Sequence, residues 1–239
     1  MIVRVLSEIL GDAQWQMTPS ERAALMGLLA ELAPGTAIEV GTGGGGSLRA
    51  IAAKAKHVHA FDVVAPAAEL AALPNVTFHT GDSHVLLPRV LDRLARENAS
   101  VEFVLVDGDH TSAGVRRDVE DVLASPAVAR GLILLHDTAN DEVRRGIESV
   151  DYATYPKVTW VDLDWLPGYV ERESGKAWSG MGLIAVDAVG GPLAGPAARA
   201  DYAIPLPQLI AAAASWTKSS SARSTPAVKW KRFVRTRRR

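Results

Sequence analysis

A short apolar run near the start of the chain is broken by a cluster of glycines and followed at once by helix-forming residues, in the sequence AIEVGTGGGGS at residues 37–47. Glycine lets the backbone adopt positive φ and approach a ligand without a Cβ atom in the way. The start of the following helix offers unpaired N–H groups and the positive end of the helix dipole. This segment therefore predicts a strand, a tight turn and a helix that together form part of a nucleotide-like cofactor site.

The glycine spacing alone leaves two kinds of cofactor open. Gly41, Gly43 and Gly46 also satisfy the dinucleotide-binding fingerprint, and Asp62 follows about twenty residues later, as that fingerprint requires. Glu39 distinguishes the two kinds of cofactor, because an anion so close to the first glycine would repel a pyrophosphate. The same anion suits a ligand that carries a positive amine or sulfonium.

The sequence then repeats one pattern, in which a short apolar strand, a polar or glycine turn and a helix follow one another. Further strands are predicted at 57–63, 76–80, 101–107 and 132–137, and helices at 66–72, 83–97, 113–124 and 140–150, after a leading helix from Thr18 to Leu32. Such alternation requires right-handed crossovers and a doubly wound, mostly parallel sheet. We therefore predict an α/β, Rossmann-like fold with ligands at the carboxyl ends of the strands.

The pattern changes from Val158 onward. Two strands, at 158–161 and 181–186, are predicted with only a loop, 162–180, between them, and such strands should pair antiparallel at one sheet edge. We expect three parts: a leading helical segment at 1–35, a main domain at 36–188, and an extension at 189–239 with an Ala-rich helix at 207–216 and a basic tail.

Composition excludes several classes of site. The chain has no cysteine, which rules out disulfides, thiolate zinc sites and cysteine nucleophiles. Neither a signal peptide nor a membrane-spanning stretch is evident, so a cytoplasmic protein is the simplest interpretation. Residues 218–239 hold nine basic and no acidic residues, although the whole chain has a net charge of −1. This tail either contacts nucleic acid, anionic lipid or an acidic protein surface, or stays solvated.

Polar residues end the predicted parallel strands on one side of the sheet. They are Asp62, Asp82, Ser83, Asp107, Asp109, His110, His136, Asp137 and Thr138. Any one of them could be a turn or capping residue, but their repetition in register predicts a shared ligand site. Asp62 can accept hydrogen bonds from both ribose hydroxyls, and Asp82 can accept one from an exocyclic amine.

This ordered set of motifs resembles the class I S-adenosylmethionine-dependent methyltransferases. The first motif is EVGTGGG at 39–45, and VDGDHT at 106–111 with GLILLHDT at 131–138 resembles bacterial small-molecule O-methyltransferases that carry D-G-D-H and H-D-T motifs. The resemblance covers residues 20–187 and implies a seven-stranded sheet with a reversed last strand. It also implies the residues that contact S-adenosylmethionine, which are Glu39, Gly41, Thr42, Gly43, Asp62, Asp82, Ser83 and Asp107.

In metal-dependent relatives of this kind, acids that end the fourth and fifth strands hold a divalent ion, and Asp107 and Asp137 match those positions. His136 stands where a relative often has an oxygen ligand. Mg²⁺ prefers oxygen ligands, whereas imidazole favours manganese, iron, nickel or zinc. The three residues are thus candidate ligands for Mg²⁺ or Mn²⁺. Without a metal, His136 is a candidate general base and His110 a second one, unless each only orients or caps its loop.

The resemblance implies an enzyme that transfers a methyl group from S-adenosylmethionine to a hydroxyl of a small molecule, with nitrogen acceptors also open. Its catalytic candidates are His136, Asp107 and His110. An aromatic set either lines the acceptor site or packs the 162–180 loop onto the body. This set is Trp160, Trp165, Tyr169 and Trp178.

Two other functions stay open, as does a homo-oligomeric state. An NAD-type oxidoreductase is disfavoured by Glu39, by the absence of a Tyr-x-x-x-Lys pair and by the predicted antiparallel ending. A non-catalytic cofactor-binding protein, tethered to RNA or a membrane through its basic tail, is the other alternative.

Overall fold

The computed structural model describes residues 15–190, in which one mixed sheet lies between layers of helices. The strands are β1 (Thr36–Val40), β2 (His57–Asp62), β3 (Val76–Thr80), β4 (Phe103–Val106), β5 (Arg130–His136), β6 (Val158–Val170) and β7 (Ala177–Asp187). The helices are α1 (Pro19–Leu32), α2 (Gly46–Ala52), α3 (Ala68–Ala71), α4 (Ser83–Arg96), α5 (Ser112–Ala124) and α6 (Asp141–Glu148), with a 3₁₀ turn at Tyr152–Thr154.

The seven strands follow the order β3-β2-β1-β4-β5-β7-β6. Strands β1 to β5 pair parallel, whereas β7 runs antiparallel to both β5 and β6. This confirms the predicted seven-stranded, mostly parallel sheet with a reversed last strand. The order changes direction between β1 and β4, so the carboxyl ends of these two strands border the crevice where such sheets bind ligands.

Side chains that cap helix N-termini fix where the helices begin after the strands. Thr18 and Glu21 form a capping box at α1, and Asp82 accepts a hydrogen bond from the His84 N–H at the start of α4. Thr111 and Asn140 cap α5 and α6 in the same way. These caps satisfy backbone N–H groups that a helix leaves unpaired, and they place the polar turns at the ligand edge of the sheet.

Alternate residues of the central strands fill two separate cores. Ile38 and Val104 point to the side covered by α4, α5 and α6, while Phe103 and Leu105 point to the side covered by α1 and α2. All four are fully buried. This alternation within strands that are apolar on both faces is expected for a sheet with helices on both sides.

The prediction of a loop at 162–180 was wrong, because β6 and β7 continue through most of it as a long hairpin. Pairs such as Tyr169 with Trp178 extend the ladder, and irregular register between Asp162 and Leu166 bends it. Pro167 and Gly168 are residue types that interrupt most strands. Strand β6 lies at the sheet edge, however, where a proline removes no bond from a central ladder.

Other predicted elements are present with small differences in their bounds. The helix predicted at 66–72 is limited to a single turn at Ala68–Ala71, and the strand predicted at 101–107 is limited to Phe103–Val106. The helix predicted at 207–216, the basic tail and residues 1–14 of the leading segment lie outside the described residues. No helix among residues 15–190 combines the length and apolar character needed to cross a bilayer.

Candidate active site

A cavity of about 570 Å³ opens at the carboxyl ends of β1, β2 and β4. It contains most of the residues predicted from the sequence to bind a cofactor. Its lining includes Trp15, Gln16, Met17, Gly41, Thr42, Gly43, Asp62, Asp82, Ser83, His84, Asp107 and His110. The structure therefore brings the glycine turn together with the strand-end residues of β2, β3 and β4.

The glycine turn adopts the left-handed backbone that its sequence predicts. Gly41 has φ +87° and Gly45, the residue before α2, has φ +78°. A Cβ atom on Gly41 would collide with the carbonyl oxygen of Asp107, because the turn after β1 packs directly on the turn after β4. Glycine is thus required here both for its φ and for this close approach.

Three residues before α1 form a wall of the same cavity. The ring of Trp15 lies over Gly46 at the start of α2, where an added Cβ would be 3.0 Å from the ring. Gln16 lies beside Gly43, and Met17 is buried. The leading segment therefore belongs to the cofactor side of the site as well as to the helical layer.

Glu39 is a buried carboxylate beneath the glycine turn. It is fully buried, and neither carboxylate oxygen has a hydrogen-bond partner in the described part of the chain. The pKa of Glu39 is raised to about 8, mainly because the carboxyl group is buried. The nearby Asp107 and Asp62 carboxylates contribute to the same rise. An unpaired buried carboxylate is costly, so a cationic ligand group beside it would be stabilised.

We expect Glu39 to make folding stability fall as the pH rises. Between its ordinary pKa of 4.5 and about 8 the folded chain holds a proton that the unfolded chain has lost, so each pH unit in this window costs at most about 1.4 kcal/mol. Glu39→Gln should remove this contribution to the slope in urea unfolding measured at pH 5, 6, 7 and 8, and should keep the additional fall above pH 6.5 that the raised pKa values of His110 and His136 cause. Glu31→Gln, an exposed change on α1, should keep both contributions. Equal slopes in both variants would contradict the assignment.

Asp62 holds the glycine turn in place. Its Oδ2 accepts hydrogen bonds from the N–H groups of Thr42, at 3.0 Å, and Gly43, at 2.9 Å, while Oδ1 accepts one from Val64 at 2.8 Å. The carboxylate also lines the cavity. It is therefore available to a ligand and at the same time anchors the backbone that surrounds that ligand.

The turn between β3 and α4 holds two residues that the sequence analysis predicted, Asp82 and Ser83, and a third, His84, that it did not predict. Asp82 caps α4, and the hydroxyl of Ser83 donates to the buried Asp118 at 3.1 Å. His84 also lines the cavity, and its Nε2 lies 3.5 Å from Asp118 Oδ1. Only its position after Asp82 and Ser83 could have indicated His84.

Two acids and two histidines meet where β4 and β5 end. The Nδ1 atom of His136 is 3.0 Å from Asp107 Oδ1 and 3.5 Å from Asp137 Oδ2. The Nε2 atom of His110 is 2.9 Å from Asp137 Oδ2 and 3.6 Å from Asp107 Oδ1. The D-G-D-H and H-D-T segments therefore form a single cluster, and Asp107 and His110 place it against the cofactor cavity.

The cluster strongly favours charged forms of its members. Hydrogen bonds to Asp107 and Asp137 raise the pKa of His110 to about 10. Burial opposes charge on His136, but Asp107, Asp137 and Glu21 outweigh it and hold the pKa of this ring well above its ordinary value. Burial likewise opposes charge on Asp137, whose pKa is nevertheless lowered by His110 and His136. In this arrangement both rings are cations at neutral pH.

Residues 38–138 match the model of a protein family described as a methyltransferase domain. The matched segment runs from β1 to the residue after Asp137, so it holds both the glycine turn and the acid–histidine cluster. Over these residues the chain is similar to methyltransferase domains. A search of curated protein sequences finds no significant match to this chain.

Solved structures share the fold of this chain. A proposed O-methyltransferase from Klebsiella pneumoniae aligns with a TM-score of 0.54 and 20% sequence identity, over 78% of this chain and 90% of that chain. Cofactor-bound Rv0187 from MTB aligns with a TM-score of 0.52 and 16% identity, over 77% of this chain and 95% of that chain. At these identities the similarity concerns the fold.

The acid–histidine cluster offers a donor set that fits a divalent ion. Asp107, His136 and Asp137 can each direct one ligand atom so that all three lie within 4.8 Å of one another. Two carboxylate oxygens and one imidazole nitrogen suit Mn²⁺, Fe²⁺ or Zn²⁺ better than the all-oxygen shell of Mg²⁺. Protonated His110 shares the same carboxylates, so ion binding would compete with protons.

Glu21 is a buried member of this neighbourhood that the sequence did not reveal. Its Oε1 lies 3.6 Å from His136 Nε2 and accepts a hydrogen bond from the Gly180 N–H at 2.7 Å. The only signal in the sequence is the spacing of Thr18 and Glu21, which is typical of a capping box and indicates a helix start but nothing about the site.

The four aromatic residues proposed for the acceptor are not part of the 570 Å³ cavity. Trp160 and Trp165 pack against the core on the α1 side of the sheet, which agrees with the alternative that the rings attach this segment to the body. Tyr169 is half exposed and Trp178 is half-buried on the β6–β7 hairpin. Trp15 is the tryptophan that lines the cavity.

Proposed function

We propose that this protein transfers a methyl group from S-adenosylmethionine to a hydroxyl of a small-molecule acceptor. The observation that carries the proposal is the acid–histidine cluster at one end of the cavity that the glycine turn forms. Asp107 and His110 belong to both, so an acceptor held at the cluster would lie next to the cofactor. Proximity of the two reacting groups is the main requirement of methyl transfer.

Three acidic residues are proposed to hold the cofactor. Glu39, buried and without a partner among the described residues, suits the positive amino group of the methionine part. Asp62 would accept bonds from the ribose hydroxyls, and Asp82 with Ser83 would contact the adenine. Asp62, Asp82 and Ser83 line one cavity, and Glu39 lies two residues before Gly41, which lines the same cavity.

In the proposed reaction, the acceptor oxygen attacks the methyl carbon, the bond from that carbon to the sulfonium breaks, and S-adenosylhomocysteine leaves. The hydroxyl proton must go to a group with a free lone pair. Asp107, which lines the cavity, provides such an oxygen, whereas a charged ring cannot accept a proton. His110 lines the cavity as well and, as a cation, would stabilise the developing negative charge on the acceptor oxygen.

A divalent ion is part of the proposal as an assisting group. Asp107, His136 and Asp137 would hold it, and when bound it would lower the pKa of the acceptor hydroxyl. The exposed ring of Tyr169 and the neighbouring Trp178 are proposed to contact the acceptor at the mouth of the site. Contact of the basic tail with nucleic acid, anionic lipid or an acidic protein surface, and self-association of the protein, are further predictions from the sequence.

Calorimetric titration of the full-length protein tests the cofactor part of the proposal. We expect micromolar binding of S-adenosylmethionine and S-adenosylhomocysteine and none of NAD, because the positive amino group of the sulfur ligands can pair with the Glu39 carboxylate and a pyrophosphate cannot. Asp62→Asn should weaken both sulfur ligands at least tenfold, since a carboxylate that accepts two hydroxyl bonds is lost. Binding of NAD alone would refute the proposal and favour an oxidoreductase.

A further inference from the structure

Glu21 is buried more deeply than its capping role explains. Only 1% of the residue is exposed, although it lies in the first turn of α1. Its Oε2 accepts bonds from Thr18 N, at 2.6 Å, and Thr18 Oγ1, at 2.8 Å, which completes the cap. The same carboxylate also accepts bonds from Ser179 Oγ, at 3.1 Å, and Gly180 N, at 2.7 Å. A glutamate so far from water normally has a specific partner.

The remaining lone pair of this carboxylate faces His136. Oε2 accepts three hydrogen bonds and Oε1 accepts one, which leaves room for a further donor on Oε1. His136 Nε2 lies 3.6 Å from that oxygen, and this buried nitrogen has no hydrogen-bond partner among residues 15–190. The opposite ring nitrogen, Nδ1, faces Asp107 and Asp137. The ring therefore stands between Glu21 and the acid pair.

We propose that Glu21 is a positioning residue for a divalent ion at Asp107, His136 and Asp137, and that with His136 it makes this site prefer Mn²⁺ over Mg²⁺. The inference rests on the proposed function, which uses the same three residues. When Nδ1 binds an ion, the neutral ring carries its hydrogen on Nε2, and this N–H needs a buried acceptor. A shift of about 0.7 Å toward Glu21 would give an ordinary N–H···O bond.

The preference for Mn²⁺ follows from the donor chemistry. An imidazole that donates its second N–H to a carboxylate is oriented and becomes a more basic ligand. Imidazole nitrogen binds Mn²⁺ better than it binds Mg²⁺, which favours oxygen and retains its waters. The Glu21–His136 pair thus strengthens the one ligand that Mg²⁺ uses least.

A short segment of β7 fixes the distance between Glu21 and the acid pair. Ser179 donates from its hydroxyl to Glu21 and from its N–H to Asp137 Oδ1, the latter at 2.6 Å. Asp137 Oδ2 is left facing the two histidines. Ser179 and Asp137 both adopt left-handed backbone, with φ +61° and +53°. Such conformations persist in non-glycine residues only where the surroundings enforce them.

The test is Mn²⁺ binding to the full-length protein, measured by electron paramagnetic resonance and calorimetry. Glu21→Leu should weaken Mn²⁺ binding about 10- to 100-fold, the usual cost of losing an outer carboxylate behind a ligating histidine. Glu21→Gln keeps an oxygen acceptor and should lose much less. Glu31→Gln, an exposed change on the same helix, should lose nothing. S-adenosylhomocysteine affinity, measured in parallel, should stay unchanged in all three variants.

A spectroscopic arm identifies the ligand directly. Spin-echo resonance of the Mn²⁺ complex should show coupling to an imidazole nitrogen in wild type and none in His136→Gln, and that variant should also lose its preference for Mn²⁺ over Mg²⁺. If circular dichroism shows that Glu21→Leu does not fold, the proposal is judged from the nitrogen coupling and from the Mn²⁺ affinity of Glu21→Gln.

Two results would overturn the inference. The first is a wild-type protein that does not bind Mn²⁺, or binds it without coupling to a nitrogen. The second is a folded Glu21→Leu variant whose Mn²⁺ affinity is unchanged. If S-adenosylhomocysteine still binds in either case, the proposed function stands. Loss of that binding in wild type would instead refute the proposed function, whatever the metal results.

Discussion

Gly41→Ala is expected to abolish detectable binding of S-adenosylmethionine and S-adenosylhomocysteine and to lower the free energy of unfolding by about 3 kcal/mol. The methyl group would meet the Asp107 carbonyl, which belongs to backbone and cannot rotate away. The residue would also have to keep φ near +87°, which alanine adopts only with strain. Calorimetric titration and urea unfolding measure the two effects.

Gly27→Ala is the matched control for this change. Gly27 lies in α1, and an added Cβ there would have no atom within 4 Å. Because alanine is the better helix former, we expect this variant to be up to about 1 kcal/mol more stable and to bind cofactor normally. Normal cofactor binding by Gly41→Ala would show that the two turns can separate, contrary to the structure.

Asp107→Asn is expected to reduce methyl transfer by about 10²- to 10⁴-fold, the range for losing a group that accepts the proton of the reacting hydroxyl. Asparagine has nearly the same shape, so it can still lie 3.0 Å from His136 Nδ1, but its amide oxygen is a very weak base. Turnover with S-adenosylmethionine and a panel of hydroxylated acceptors gives the rate, and S-adenosylhomocysteine titration gives the affinity.

The comparison with an exposed carboxylate makes the Asp107 result specific. Asp92→Asn changes an exposed residue of α4 and should leave rate and affinity unchanged. We expect cofactor affinity in Asp107→Asn to fall much less than the rate. An equal loss of both would place Asp107 in cofactor binding alone and contradict its role as the proton acceptor.

The parallel half of the fold could be predicted because its signals are local. Strands that are apolar on both faces, such as Phe103–Val106, and caps such as Asp82 act within a few residues, and their order implies the crossovers. The β6–β7 hairpin could not be predicted in the same way, because proline and glycine, here Pro167 and Gly168, interrupt a strand unless it lies at the edge of a sheet. Whether a strand lies at an edge is decided by the whole sheet.

The cofactor and acid residues could be named for a related reason. Each follows a strand directly, so the parallel sheet brings Asp62, Asp82 and Asp107 to one edge whatever their separation in sequence. Glu21 and Gly180 reach the cluster from α1 and from an antiparallel strand, which no strand-end rule describes. The protonation of His110 likewise depends on two carboxylates, one of them 27 residues away in sequence.

The contacts that join Glu21 to Ser179 and Gly180 couple segments that lie 158 and 159 residues apart in sequence. Glu21, Ser179 and Gly180 all lie outside residues 38–138, the segment that matches the methyltransferase family, whereas the glycine turn, Asp62 and Asp82 lie within it. A substitution in α1 can therefore reach the acid–histidine cluster through β7 without passing through the matched segment. Because Trp15, Gln16 and Met17 line the cofactor cavity just before α1, we expect an exchange of this region without the hairpin to disturb both the cluster and the cavity.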